Sequence, residues 1–155
     1  MSLISWQPLS ATSCALNTSL DHIIQSNVNH SSDSIDQELM WESSKESSYQ
    51  NKTQEIVIRL GQRASITAIE LQSKPNRFSA KATIYIGSLD STAVEYQQAG
   101  STDRITHTST IQVSLVGIGS HIKIKFEVPP KTASNPYGQI GLQILKVYGE
   151  PDGYH

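Results

Sequence analysis

From residue 55 onward the chain is written in period two, and that alternation constrains the fold more than any other feature. Ile56, Ile58 and Leu60 fall on one side of their run, with Glu55 and Arg59 on the other. Ile69 and Leu71 alternate with Ala68, Glu70 and Gln72, and Ala82, Ile84 and Ile86 with Lys81, Thr83 and Tyr85. The same pattern recurs in Ile111, Val113 and Leu115, in Ile122, Ile124, Phe126 and Val128, and in Ile140, Leu142 and Ile144. Successive side chains of a strand point to opposite faces, so each run predicts a half-buried strand. The breaks carry turn chemistry: Leu60-Gly61-Gln62, Lys74-Pro75-Asn76, Ile86-Gly87-Ser88, Gly117-Ile118-Gly119, Pro129-Pro130 and Asn135-Pro136-Tyr137-Gly138. Strands at this spacing with no helices between them predict an antiparallel sandwich or barrel.

The first third reads differently. Leu20, Ile23 and Ile24 form an apolar stripe behind a capping Thr18, which predicts a short helix over 19–25. Residues 27–36 and 43–52 read as polar loops around a short buried segment, Leu39-Met40-Trp41. No linker divides the chain, so a single domain over 1–150 with a loose tail at 151–155 is expected. Only 17% of the 155 residues are charged and 37% are hydrophobic, which excludes a disordered chain. No apolar run approaches the roughly 20 residues of a membrane span. No charged segment followed by an apolar run opens the sequence, so no signal peptide is expected. Residues 1–44 hold five acids and no Lys or Arg. Residues 45–155 hold all twelve bases against nine acids, too few to capture a polyanion by charge alone.

Nothing in the sequence assembles catalytic chemistry. His22, His30, His107, His121 and His155 show no metal-ligand spacing, and Cys14 has no second cysteine to join. Cys14 reads as a buried thiol at the end of the leading strand, without the cationic surroundings a nucleophile needs. Gly117-Ile118-Gly119-Ser120 lacks the ending of a phosphate loop and reads as a hairpin turn. Three glycosylation sequons, at Asn17, Asn29 and Asn51, are expected by chance in a chain with 23 Ser and 11 Thr.

The order of pieces is itself informative. A leading strand and a short helix precede Trp41-Glu42-Ser43. Then come Gln54 to Gly61, Ile66 to Leu71, Ala82 to Ser88, His121 to Phe126 and Ile140 to Tyr148. This sequence resembles the discoidin, or galactose-binding-like, jelly-roll superfamily over residues 3–150. The resemblance implies an all-β, antiparallel jelly-roll β-sandwich of eight or nine strands with one short helix near the N-terminus. It places Trp41 in the core beneath the sheet; Trp6, near the start of the chain, is expected to pack on the last strand.

Three intracellular types are similar. One is the N-terminal jelly-roll of ciliary-tip centrosomal proteins that also carry TOG-type modules, through Asn135 to Ile140 and Val147 to Pro151. The others are the small jelly-roll subunit of the intraflagellar transport train and the N-terminal domain of the repair scaffold that joins DNA polymerase beta. The resemblance therefore implies a non-catalytic, intracellular protein-interaction module of a cilium, flagellum or microtubule assembly. A DNA-repair-type scaffold domain and a carbohydrate-binding module are the alternatives. No membrane, nucleic-acid or small-molecule substrate partner is expected. The loops Lys74, Asn76, Arg77, Phe78 and Asn135, Tyr137 are the expected partner contacts, since Arg and aromatic residues dominate interface hot spots. No cofactor is implied beyond calcium, which superfamily members hold near the short helix and for which Asp33 and Asp36 are the matching oxygen ligands.

Overall fold

The computed structural model describes residues 2–16, 18–25, 41–77, 81–90, 92–103, 105 and 109–152. Among them are seven strands: β1 (Ser2–Ile4), β2 (Trp6–Ala11), β3 (Thr53–Ser73), β4 (Ala82–Asp90), β5 (Ala93–Thr102), β6 (Ile111–Glu127) and β7 (Leu142–Pro151). All pairings between them are antiparallel.

The long strands β3 and β6 organise the architecture. The first half of β3 lies between β2 and the second half of β6, which pairs in turn with β4, and β4 with β5. Its second half lies between β7 and the first half of β6, with β1 beyond β7. Register shifts between Arg59 and Ala64 divide the halves. The two layers share one core, which contains Trp41, Ile58, Ile69, Ile84, Ile124 and Leu142 together, as the alternation predicts. Trp41 is fully buried against Phe126, with ring centroids 6.0 Å apart, and its Nε1 donates to the Ser13 carbonyl. Trp6 packs on the last strand, donating Nε1 to the Leu145 carbonyl at 2.9 Å.

Four expectations need correction. None of Gly61, Gly87 and Gly117–Gly119 is a turn. β3, β4 and β6 run straight through them, so each joins two of the runs or passes a glycine without a break. The glycines answer a close approach instead: a Cβ at Gly119 would run into the backbone of Gly87, and one at Gly117 would meet Ile86 Cδ1 at 2.8 Å. The helix expected over 19–25 shrinks to a 3-10 turn at Leu20–His22, capped by Ser19 rather than Thr18. Ile24 is drawn into pairing with β7, its N–H donating to the Gln143 carbonyl and its carbonyl accepting from Leu145, so a helix cannot continue through it. The expected loop at 43–52 holds the helix α1 (Lys45–Gln50), capped by Ser44 accepting from the Ser47 N–H at 3.1 Å. Finally, Cys14 is exposed. The leading strand ends at Ala11, three residues before it, so the thiol leaves the layer that would have buried it.

Candidate functional site

At one end of the sandwich two turns are locked to each other through Glu42. After β3 the chain turns over Lys74 to Arg77, with the Arg77 N–H donating to the Lys74 carbonyl and Asn76 at φ 61. Asn tolerates this left-handed conformation better than most residues with a side chain. After β6, Asn135 closes the second turn with its own amide. Its Oδ1 accepts from the Gln139 N–H at 2.9 Å, and its Nδ2 donates to the Gln139 carbonyl at 2.8 Å. Gly138 at φ 67 completes that turn, where the Val128 side chain and Pro129 carbonyl leave little room for a Cβ.

Trp41-Glu42-Ser43 runs between the two turns. Glu42 forms a bridge with Gly141, and the Ser43 N–H donates to the Ile140 carbonyl. The Glu42 carboxylate meets Lys74 Nζ at 3.4 Å and Arg77 Nε at 3.2 Å, and accepts from Gln139 Nε2 at 2.9 Å. Arg77 Nη1 donates to the Ser134 carbonyl at 3.0 Å and so ties the first turn to the second. Both cations and the carboxylate are largely withdrawn from solvent, at 10%, 21% and 16% side-chain exposure. Charges this buried persist because they are paired.

This lock supports a surface. α1 lies beside the second turn, and the Tyr49 and Tyr137 rings meet edge to face at 6.4 Å. Lys45 Nζ sits 5.4 Å from the Tyr137 centroid and Lys131 Nζ 4.8 Å from that of Tyr49. A depression of about 300 Å³ is lined by Lys45, Glu46, Tyr49, Gln50 and Tyr137. Tyr49 is 60% exposed and Tyr137 39% exposed, although both are large enough to bury. Aromatic rings flanked by ammonium groups suit a partner that offers both apolar contact and hydrogen-bond acceptors.

The structure thus brings the two expected loops together but divides their residues. Lys74 and Asn135 are buried and face the lock. Arg77 spans the turns, while Asn76 and Tyr137 face outward. Phe78 lies outside the described residues, as do Asp33 and Asp36, the calcium candidates. Among the described residues no three His, Cys, Asp or Glu side chains gather around a possible metal position. Sequence reasoning missed Lys45, Tyr49 and Lys131. The available signal was Ser44 followed by Lys45-Glu46, a helix start hidden in a serine-rich stretch.

No protein-family model matches the sequence, and no curated protein matches it. Solved structures match at the level of the fold. The C-terminal domain of a chitobiase from Bacteroides fragilis superposes with a TM-score of 0.67 at 18% identity, covering 93% of this chain and 93% of that one. CBM32-3 from a family 31 glycoside hydrolase of Clostridium perfringens gives 0.67 at 14% identity, covering 94% and 91%. Reduced XRCC1, in its complex with the catalytic domain of DNA pol beta, gives 0.65 at 15% identity, covering 97% and 100%. The chain therefore has the galactose-binding-like jelly-roll fold. At such identities the likeness extends to no shared activity.

Proposed function

We propose that the chain is a non-catalytic binding module that engages a protein partner through the Tyr49–Tyr137 patch. The observation that carries this reading is the exposed tyrosine pair around a depression, with Tyr49 held on α1 and Tyr137 on the second of the two turns that Glu42 locks together. Rings fixed before the encounter lose little entropy on binding, and tyrosine is enriched at interface hot spots. The likeness in fold to XRCC1, solved bound to the catalytic domain of DNA pol beta, supports the reading. The resemblance of Asn135 to Ile140 and Val147 to Pro151 extends it to an intracellular ciliary, flagellar or microtubule-linked assembly, and that extension rests on the resemblance alone.

A carbohydrate is the second reading, favoured by the stacking surface of the same two rings and by the likeness in fold to CBM32-3. Tyr49→Ala combined with Tyr137→Ala tests both. Both side chains are exposed, so the melting temperature should hold. Loss of a captured protein partner by the double variant supports the protein reading. A glycan-array signal lost in the same variant, with no protein captured by the wild type, replaces it by the carbohydrate reading. Arg77→Ala is the poorer test, because it breaks the lock and confounds binding with stability.

A further inference from the structure

A second surface lies on the outer face of the layer formed by β2, the first half of β3, the second half of β6, β4 and β5. The register fixes its rows. Arg59, His121, Gly87 and Tyr96 stand side by side across four strands; Val57, Lys123, Tyr85 and Gln98 form the next row, and Glu55, Lys125, Thr83 and Ser101 the third. Lys123 is held between two aromatic faces, with Nζ 5.0 Å from the Tyr85 centroid and 4.6 Å from the Tyr96 centroid. Gly87 permits this arrangement, since a Cβ there would meet the Tyr96 ring at 2.6 Å. Neither Lys123 nor Lys125 has an ion-pair partner among the described residues. Arg59 makes a hydrogen bond to the uncharged Gln7 side chain. Across these three rows, three permanent cations face one carboxylate, Glu55, in a protein of net charge -2. Glu127, one row further along β6, is already engaged.

Burial, and then the Arg59 charge, lower the His121 pKa from its ordinary value, and its Nδ1 contacts Ser120 Oγ at 2.8 Å. Both effects disfavour the imidazolium, so the permanent positive charge of the face belongs to Arg59, Lys123 and Lys125.

We propose that this face docks an extended acidic segment of a partner protein, with Arg59, Lys123 and Lys125 as its cationic contacts. The spacing favours a peptide: alternate residues on a strand lie about 7 Å apart, which matches Lys123 and Lys125 to carboxylates on alternate residues of an extended chain. A single-stranded nucleic acid fits less well. It needs free ring faces on which bases stack, and the Lys123 ammonium already occupies a face of both tyrosines. Fixing that ammonium before the encounter reduces the side-chain entropy lost when it meets a carboxylate.

The test is fluorescence anisotropy of the full chain with a labelled peptide of alternating Glu and Thr, at low and high salt. Binding that weakens with salt is expected. The Lys123→Met, Lys125→Met double variant should lose about tenfold in affinity, from two partly exposed charge pairs. Lys125→Glu makes no ring contact to disturb, so it guards against a folding artefact and should weaken binding at an unchanged melting temperature. Tyr49→Ala with Tyr137→Ala should leave this peptide's affinity unchanged, which separates the face from the end patch. Absence of peptide binding by the wild type, or affinity untouched by Lys125→Glu, overturns the proposal. So does tighter binding of oligo-dT or heparin than of the peptide.

Discussion

Two regions of this molecule carry lysine and arginine, and they use them in opposite ways. At the locked end Lys74 and Arg77 are nearly buried, and both reach the carboxylate of Glu42. On the outer sheet face Lys123 and Lys125 stand half-exposed with no carboxylate partner among the described residues, one stacked between rings and the other in water. A cation removed from water must be paired or it destabilises the fold, whereas one left in contact with water costs little and remains available. The first pair therefore positions a surface, and the second is a surface.

The sharpest way to break this contrast is at the segment that carries Glu42 into the lock. Trp41→Ala deletes a fully buried indole packed on Phe126 and should lower stability by about 3–5 kcal/mol, seen as a cooperative loss in a denaturant titration. An unchanged midpoint would mean that Trp41 is not part of the core. Glu42→Ala comes next, because it leaves two largely buried cations facing each other. A loss of about 3 kcal/mol is expected, at the lower end for a buried pair because the groups keep some solvent contact. Asn135→Ala removes two buried hydrogen bonds that shape the second turn, and about 2 kcal/mol should follow. If that variant also lost partner binding at full occupancy of the native state, the turn would be shown to aim Tyr137.

Against these, Lys125→Gln on the sheet face should shift stability by less than about 0.5 kcal/mol. A loss as large as that of Glu42→Ala would erase the distinction between the two regions. The smallest effect concerns pH. His121 has a folded pKa below its ordinary value of 6.5, so the unfolded chain takes up the proton first as pH falls. Stability should therefore be level above about pH 6.5 and decline below it, toward the lowered folded pKa. His121→Gln should flatten that part of the curve. A variant whose stability falls just as steeply would assign the slope to other groups.

Much of the fold was legible because its signal is local. A strand with one face buried alternates, and Ile56, Ile58, Ile122, Ile124, Ile84 and Ile86 do so. β5 was not legible, because its Glu95, Gln97 and Gln98 are exposed and leave no apolar face to read. α1 was hidden for a different reason: its lone buried residue is Ser48, whose hydroxyl contacts that of Ser43 instead of packing on apolar neighbours. The site was legible as two turns with aromatic or basic residues, through Asn76, Arg77, Asn135 and Tyr137. Which of those side chains face inward was not, since that depends on Glu42, 32 residues before Lys74 in the chain.

The sequence by itself determined the class: period-two runs bounded by glycine, proline and asparagine turns commit a chain of this composition to antiparallel layers around one core. The tertiary structure alone decided that Gly61 and Gly117–Gly119 are passages rather than ends, because only the crossing strand tells a close approach from a turn. It also decided the roles of the cations. A lysine's charge is written in the sequence, but whether a carboxylate reaches it depends on which distant segments share an end or a face. For Lys74 the fold supplies Glu42, and for half-exposed Lys125 it supplies no carboxylate partner among the described residues.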